Sequence, residues 1–319
     1  MTFLSILFAL LIEQLKPLRA DNPIYASIKM LAARIESSFN AGQARHGRLA
    51  WIVTILLLIL PTALIYWVLM HISPVLALIW NVVIVYLTLG FRHYSHYFTS
   101  IQLALNNGDE IAARALLADW LKQDTSALDV SEISRLAAEK ALITTHRNVF
   151  GVFFWFLIPI GPAGAVLYRV AEYLSRAWSE PEHMKNEQFG RFAARAFYWI
   201  DWVPARMTAA AFAVVGNFED AVYVWRNFAD RWQDETAGII LSAGGGAIGT
   251  RFGTPQQAAS DMALPADAAT VDSLDEESDG LPGDTPSPRT LQSIVGLVWR
   301  ALLLWMSMLL LLSVAVWLG

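Results

Sequence analysis

Cysteine is absent from this chain, which excludes disulfide bonds, thiolate nucleophiles and thiolate metal ligands. Charge is scarce as well, because Asp, Glu, Lys and Arg make up 16% of the 319 residues, against about 25% in soluble proteins. Hydrophobic residues make up 55% of the chain, and no stretch resembles a basic nucleic-acid-binding arm. The composition predicts an integral membrane protein whose first partner is the lipid bilayer and which binds no nucleic acid.

Several apolar runs are long enough to be embedded in a bilayer. Residues 51–70 carry no charge, residues 75–90 follow after a short turn, and residues 295–318 form a final run. Residues 1–12 are apolar but short, and residues 20–49 have the periodicity of an amphipathic helix. The sequence therefore predicts an all-α polytopic membrane protein with about four to six membrane-embedded helices.

The distribution of arginine predicts the orientation of these helices. Arg45, Arg48 and Arg92 flank the first two runs, and Arg289 and Arg300 lie before or early in the last one. Basic flanks remain in the cytoplasm by the positive-inside rule. We therefore expect a multi-pass protein with its polar helical module in the cytoplasm and its C-terminus outside.

The apolar and polar segments divide the chain into five expected regions. They are an N-terminal helix, amphipathic segment and transmembrane hairpin at 1–91, a small cytoplasmic helical module at 92–147, a core at 148–253, an acidic disordered linker at 254–290, and a C-terminal transmembrane helix at 291–319. Asp129 or Ser131 is expected to cap the last helix of the module. The linker holds eight acids between Asp261 and Asp284, and its composition favours disorder. We expect removal of residues 258–284 to leave folding intact.

The apolar run at 148–168 is interrupted by backbone-breaking residues. The residues expected to shape this region structurally are Pro159, Gly161, Pro162, Gly164, Tyr168 and Pro204. Proline removes a hydrogen-bond donor and glycine weakens a helix. One kinked span would place Arg169, Arg176 and Arg191 outside, against the positive-inside rule. We therefore predict a re-entrant hairpin with its tip at 160–164.

Ionisable residues are concentrated on both sides of this broken helix. The candidate ligand-binding residues are His146, Arg147, Arg169, Glu172, Arg195, Asp201 and Arg206. Guanidinium groups in such a cluster are suited to the phosphate or carboxylate of a small anionic ligand. We expect Asp201 and Arg206 to pair across Pro204, at a cavity that opens to the cytoplasm. The structural alternative is a set of dry ion pairs that only stabilise the fold.

No set of residues in the sequence has the composition of a metal site. His93 and His96 could begin one, but zinc requires three or four ligands and no carboxylate stands in the same turn. We therefore predict no metal. Residues 244–249, with their glycines, lack the lysine of a nucleotide-binding loop. The small-residue segment 237–249 that contains them is either a close helix-packing surface or a flexible loop.

Three segments resemble the CobD/CbiB family. They are GPAGAVLYR at 161–169, FGRFAARAFYWIDWVPARMTA at 189–209 and AGGGAIGTRFG at 243–253. In that family the membrane enzyme adenosylcobinamide-phosphate synthase joins an amino-alcohol phosphate to a corrinoid carboxylate. The 90–120 region, YLSRAW and DWVPAR are more similar to the AmpE-like branch, an inner-membrane group associated with β-lactamase regulation. The resemblance covers most of residues 1–253 and implies a bacterial-type inner membrane.

The chain departs from the synthase pattern at acidic positions. The family's ESxAENxxDG-type run has His146 and Phe150 here in place of acids, and its paired acids correspond to Phe197 and Tyr198. In the family, such carboxylates would hold Mg²⁺ and phosphate. Aromatic rings cannot replace them in that role.

The resemblance and its departures imply two functions. The first is a non-catalytic sensor, regulator or ligand-binding protein that needs no cofactor. Its partners would be a corrinoid or another small anionic ligand, and an unidentified membrane or cytoplasmic protein. The alternative is a synthase-like enzyme of cobalamin biosynthesis that amidates a corrinoid carboxylate, for which Mg²⁺ and a nucleotide would be required.

Overall fold

A computed structural model describes residues 1–16, 22–39, 44–158, 160–179, 187–232, 234–253 and 282–318. Within these ranges the chain is helical, and the only β-type pairing is an isolated bridge between Thr250 and Asp284. The prediction of an all-helical protein is confirmed. The helices are α1 Thr2–Leu15, α2 Pro23–Phe39, α3 Ala44–Ile72, α4 Pro74–Thr88, α5 Phe91–Asn106, α6 Glu110–Leu121, α7 Val130–Thr145, α8 Gly151–Leu157, α9 Pro162–Ala177, α10 Glu187–Val215, α11 Phe218–Phe228, α12 Glu235–Ile248 and α13 Pro288–Leu318.

The chain forms two compact units. The first unit comprises Met1–Ser95, Thr145–Pro204 and Trp305–Gly319, and the second unit comprises His96–Thr144 and Ala205–Leu304. Helices α5, α10 and α13 contribute residues to both units. Each unit is described below by itself.

The described residues include two helices that are long and apolar enough to cross a membrane. They are the Arg45–Ile72 part of α3 and the Pro288–Ala315 part of α13. Helices α1 and α4 have 14 and 15 residues, which is shorter than the roughly 20 residues of a full span. Membrane character is thus supported by these apolar helices, while the number of spans and their orientation stay predictions.

The amphipathic segment predicted at 20–49 is not one helix. Helix α2 ends at Phe39 and α3 begins at Ala44, so Arg45 and Arg48 lie at the start of the long apolar helix. The basic residues that flank the first apolar run therefore belong to α3 itself.

Helices α8 and α9 form the predicted hairpin. Gly161 has a φ of 58° and a ψ of −128°, and its N–H donates to the Ile158 carbonyl at 2.8 Å. A Cβ on Gly151 would overlap the Tyr168 ring, and one on Gly164 would lie 2.1 Å from the Trp155 carbonyl oxygen. These paired contacts show antiparallel packing, so the alternative of one kinked span is wrong. Insertion of the hairpin into a bilayer stays a prediction.

The tip of the hairpin differs from the predicted 160–164. Pro162 already begins α9, where its fixed φ and missing donor suit the first helical position. Gly164 lies inside α9 and allows close backbone packing rather than forming the turn. Pro159, which was expected to contribute to the break, lies outside the described residues.

The second unit contains well-capped polar helices. Asp129 accepts the Glu132 N–H at 2.7 Å, and the Glu132 carboxylate accepts the Asp129 N–H at 3.2 Å. This reciprocal capping box begins α7 at Val130. Of the two predicted caps, the structure assigns Asp129 and not Ser131.

The glycine-rich segment lies in α12, which packs against α11. A Cβ on Gly246 would lie 2.6 Å from the Asp220 carbonyl oxygen, and one on Gly245 would lie 2.6 Å from that of Thr250. Gly249, with a φ of 68°, ends the helix. Of the two alternatives, close helix packing is confirmed and the flexible loop is wrong.

The predicted linker lies mostly outside the described residues, but both of its ends are held in the second unit. The Gly253 N–H donates to Glu139 at 3.2 Å. Near the C-terminal end of the predicted linker, Asp284 exchanges backbone hydrogen bonds with Gly249 and Arg251 at 2.8 and 3.0 Å. The predicted deletion of 258–284 would also remove Asp284 and these two hydrogen bonds, and its effect on folding stays a prediction.

Candidate functional site

Three buried polar side chains meet in the first unit. His146 Nε2 lies 2.8 Å from Asp201 Oδ1, and the Tyr168 hydroxyl donates to the same oxygen at 2.8 Å. The Tyr168 hydroxyl also lies 3.4 Å from His146 Nε2. His146 and Tyr168 are fully buried and Asp201 is 1% exposed. We call these three residues the buried triad.

Local backbone features position the members of the triad. His146 begins a π-helical turn, His146–Phe150, between α7 and α8, and such turns interrupt the regular spacing of an α-helix. Gly151 follows and makes room for the Tyr168 ring, which a Cβ at that position would overlap. Asp201 lies on the buried side of α10. Residues from three helical segments thus converge on one carboxylate.

One oxygen of the triad has an unused hydrogen-bonding capacity. Asp201 Oδ2 is buried and has no hydrogen-bond partner. A buried carboxylate oxygen without a donor is unfavourable. The guanidinium of Arg147 lies 5.8 Å above the centre of the Phe197 ring, and this ring is 5.6 Å from that of Tyr168. Asp201 can therefore accept one further donor in a site bordered by an aromatic ring.

A second polar group of the first unit adjoins the triad in sequence. Arg169 donates to Asn148 Oδ1 at 2.6 Å. Glu172 is buried and lies between Arg169 and Arg176, with N–O distances of 3.7 and 3.6 Å. Because the one carboxylate of Glu172 pairs with the two guanidinium groups of Arg169 and Arg176, these residues together carry a net positive charge.

The predicted ligand-binding residues do not all lie together. His146 and Asp201 form the triad with Tyr168, which the sequence had indicated only as a structural residue. Arg147 contacts Phe197, while Arg195 lies on the exposed side of α10. The sequence did not indicate Asn148 as a partner of Arg169, because no pattern relates the two positions.

The expected pair of Asp201 and Arg206 is wrong. Asp201 bonds to His146 and Tyr168, and in the second unit Arg206 binds Glu235 at 2.7 Å. Pro204 lies inside α10 without ending it, so positions five apart stay on different faces of the helix.

Pro204 has a different effect from the one expected. A proline cannot donate to the carbonyl four residues earlier, which here is that of Ile200. Trp155 Nε1 donates to this carbonyl at 3.0 Å. The proline thus leaves an acceptor that connects α8 of the hairpin to α10.

The donor set does not fit a magnesium site. Mg²⁺ prefers several oxygen ligands in octahedral geometry, commonly from one or two carboxylates together with phosphates and water. The triad supplies a single carboxylate, of which Oδ1 is already used by two donors. No group of three or more His, Asp or Glu side chains that could hold a metal occurs among the described residues.

Among the described residues of the second unit, Glu139 is the one buried acid. It accepts hydrogen bonds from Arg135 at 3.3 Å and from the Gly253 N–H at 3.2 Å. Burial raises the pKa of Glu139 to about 7, although Arg135 and the Gly253 N–H act in the opposite direction. Glu139 therefore titrates near neutral pH at the point where the chain enters the linker.

Comparison with known proteins identifies relatives along nearly the whole chain. The profile of the family described as CobD/Cbib protein matches residues 6–272. A protein of Stutzerimonas stutzeri named "Cobalamin biosynthesis protein CobD" is 32% identical over 314 residues, which are 97% of each chain. One of the same name from Chromobacterium violaceum is 34% identical over 209 residues, 65% of each chain. No solved structure matches.

A more distant relative carries a similar name. The "Probable cobalamin biosynthesis protein CobD" of Thermoplasma acidophilum is 25% identical over 245 residues, 74% of this chain and 78% of its own. These names favour the cobalamin alternative over the AmpE-like regulatory function that the sequence departures had suggested. The regulatory expectation receives no support from the comparisons.

Proposed function

Because the chain belongs to the CobD/CbiB family, we propose that it is a membrane-bound ligase of cobalamin biosynthesis, similar to adenosylcobinamide-phosphate synthase. It joins the amino group of an amino-alcohol phosphate to a carboxylate of a corrinoid. The observation that carries this proposal is the relationship to the Stutzerimonas stutzeri protein over 97% of both chains.

The buried triad can supply a general base for this reaction. The reaction forms a C–N bond between the amine and the carboxylate carbon, and the nucleotide that the resemblance implies would carry the displaced carboxylate oxygen away as phosphate. The amine loses a proton, and a positioned base assists that loss. His146, held by Asp201 at 2.8 Å, is the base that the first unit offers. Both residues are buried, so the substrate amine reaches His146 only when the first unit opens.

The charges around the triad suit the substrates. Both substrates are anionic, and Arg147 and Arg169 are partly exposed guanidinium groups that follow His146 and Tyr168 directly. Guanidinium groups bind phosphate and carboxylate in the same planar geometry. The resemblance implies Mg²⁺ and a nucleotide for activation of the carboxylate, but the donor set does not fit the metal, so we assign it no step.

A second function is favoured by one specific observation. By the resemblance, Phe197 and Tyr198 correspond to the family's paired acids, and the Phe197 ring contacts Arg147 and Tyr168. An aromatic ring can bind a cation but not hold a phosphate-bound metal. The second candidate is therefore a protein of this family that binds the anionic substrates without joining them.

Complementation distinguishes the two functions. The full chain is expressed in a bacterium that lacks its own synthase, on medium where growth requires cobalamin synthesis. The proposed enzyme restores growth, and Asp201→Asn abolishes this effect while the exposed Arg226→Gln keeps it. The Stutzerimonas stutzeri relative is the positive control, and added cobalamin shows that the strain is otherwise viable.

The binding-only candidate predicts a different pair of results. Membranes with the chain would retain radiolabelled amino-alcohol phosphate above the level of membranes without it, yet growth would not be restored. Failure of both growth and retention, with the protein present at normal levels in the membrane, would eliminate both functions.

A further inference from the structure

The hairpin of α8 and α9 packs in two layers that are one helical turn apart. In the first layer Gly151 faces Tyr168, because a Cβ on Gly151 would overlap the Tyr168 ring. In the second layer Gly164 faces Trp155, because a Cβ on Gly164 would overlap the Trp155 carbonyl. Residues four apart lie on the same side of a helix, so one face of each helix supplies both layers.

Both layers attach to neighbouring residues of α10. The Tyr168 hydroxyl donates to Asp201 Oδ1 at 2.8 Å, and Trp155 Nε1 donates to the Ile200 carbonyl at 3.0 Å. The Ile200 carbonyl and the Asp201 N–H belong to one planar peptide unit. A donor that fixes this carbonyl therefore also fixes the backbone from which the Asp201 side chain projects.

Pro204 explains why the Ile200 carbonyl needs a donor from another helix. In a regular α-helix this carbonyl would accept the N–H four residues later, which proline lacks. A carbonyl without a donor is costly in an apolar interior or in lipid. The Trp155 indole therefore gives the Ile200 carbonyl the partner that α10 does not supply.

The Asp201 carboxylate depends on this support because it is held at one oxygen. His146 Nε2 and the Tyr168 hydroxyl both lie 2.8 Å from Oδ1, whereas Oδ2 has no hydrogen-bond partner. A carboxylate that is fixed at one oxygen can turn about that oxygen. The backbone of Asp201 must therefore be fixed if the contact with His146 is to keep its geometry.

We propose that Trp155 is a positioning residue for the reaction proposed above. Through the Ile200 carbonyl it sets the position of Asp201, and Asp201 in turn orients the His146 base. This inference rests on the proposed function, which makes His146 the base. Trp155 acts through the backbone of α10 and not by contact with a substrate.

The first test separates catalysis from substrate binding. Amide formation by the full chain in nanodiscs is measured at increasing concentrations of the amino-alcohol phosphate. Trp155→Phe keeps an aromatic ring but removes the N–H, and we expect kcat to fall about 10- to 100-fold with KM unchanged, since small displacements of a catalytic group have effects of this size. The matched control is Trp178→Phe in the same unit, because Trp178 Nε1 has no hydrogen-bond partner. Its kcat stays near that of the wild type, and an equal fall in kcat in both variants would overturn the proposal.

The second test restores the missing donor within α10. Pro204→Ala supplies an N–H that can bond to the Ile200 carbonyl. In that background Trp155→Phe is expected to change kcat by less than about twofold, because the two substitutions act on one carbonyl. An equal loss in both backgrounds would show that Trp155 acts by packing alone. If Trp155→Phe does not fold, Pro204→Ala should restore folding, and a double variant that also fails to fold would contradict the proposal.

A third readout does not depend on the reaction. The ring nitrogens of His146 are observed by NMR in protein with isotope-labelled histidine, and His146→Gln assigns their signals. Trp155→Phe should change these signals, Trp178→Phe should not, and Trp155→Phe should add no change in the Pro204→Ala background.

These readouts distinguish the inference from the function on which it rests. If the wild type forms no amide but His146 responds to Trp155→Phe as expected, the proposed function fails and the positioning of the triad by Trp155 stands. If the wild type forms the amide, and Trp155→Phe alters neither kcat nor the His146 signals, the inference is overturned and the proposed function stands.

Discussion

The two units differ in where their acidic side chains lie, in the interior or at the surface. Among the described residues, the first unit buries Glu13, Glu172 and Asp201, while its exposed charges are basic. The second unit exposes most of its acids, with Asp230 and Asp234 as examples, and buries Glu139. A buried acid needs partners, whereas an exposed acid is solvated. Acids of the first unit are therefore held in its interior, whereas acids of the second unit cap helices or pair with bases near its surface.

The largest effect that this contrast predicts is at Asp201. Asp201→Ala leaves His146 and Tyr168 buried without their common acceptor, which costs about 3–5 kcal/mol by analogy with broken buried pairs. Asp230→Ala, an exposed acid of the second unit, should change stability by less than about 0.5 kcal/mol. Thermal unfolding of the two variants in the same detergent measures the difference. Equal midpoints would show that the triad is not a stabilising group.

Glu139, the buried acid of the second unit, predicts a pH dependence. Its folded pKa of about 7 lies above the ordinary value of 4.5, so the folded state binds the proton more tightly than the unfolded state. The contribution of Glu139 to the free energy of unfolding is therefore largest below pH 4.5 and falls as the pH rises to about 7. Above that pH it no longer changes, and the total loss is on the order of 3 kcal/mol.

Glu139→Gln provides the comparison for this pH dependence. The glutamine keeps a side chain that can accept the Gly253 N–H but cannot ionise. Its unfolding midpoint should lose the fall between pH 4.5 and 7 that the wild type shows. An identical pH profile in both proteins would assign the dependence to other groups.

Two helical glycines, one in each unit, differ in how closely their surroundings are packed. Gly164 of the first unit lies against the Trp155 carbonyl, whereas a Cβ on Gly296 of the second unit would meet nothing within 4 Å. Gly164→Ala should destabilise by about 1–3 kcal/mol through overpacking, and Gly296→Ala should be neutral or stabilising by up to about 1 kcal/mol. Thermal unfolding distinguishes them, and a neutral Gly164→Ala would contradict the close packing of α8 and α9.

The smallest effect on stability is expected for a linker deletion that is short enough to keep Asp284. Removal of residues 258–280 keeps Asp284 and its backbone hydrogen bonds to Gly249 and Arg251, and shortening a loop changes its closure free energy by only about 0.6 kcal/mol per halving. Removal of 258–284 also breaks those bonds and should lower the unfolding midpoint measurably. Equal midpoints for the two deletions would show that the Asp284 contacts do not contribute.

Local signals in the sequence predicted much of the fold. The proline and glycine pattern around Gly161 and Pro162 located the break in the helix, because a positive φ and a proline at the first helical position are local requirements. Asp129 was identified as one of two caps for the same reason. The arginines that follow the break favoured a hairpin over one kinked span. Arg45 and Arg48 were included in the amphipathic segment at 20–49, whereas they lie in α3, which begins at Ala44.

The partners of the buried polar residues could not be predicted in the same way. Asp201 lies 55 positions from His146, and which residue it meets depends on how α10 is rotated against the π-helical turn. Pro204 suggested a broken helix and hence a pair with Arg206, but the helix continues. Glu139 likewise depends on contact with Gly253, 114 residues away, which no local pattern reports.

The direct measurement of the central claim is formation of the amide by the purified full chain. The protein in nanodiscs is incubated with a corrinoid carboxylate, an amino-alcohol phosphate, a nucleotide and Mg²⁺, and the products are analysed by mass spectrometry beside the Stutzerimonas stutzeri relative. The wild type is expected to form the condensed corrinoid, and Asp201→Asn is expected to form none. Product from the relative but none from this chain, under the same conditions and with intact protein, would contradict it.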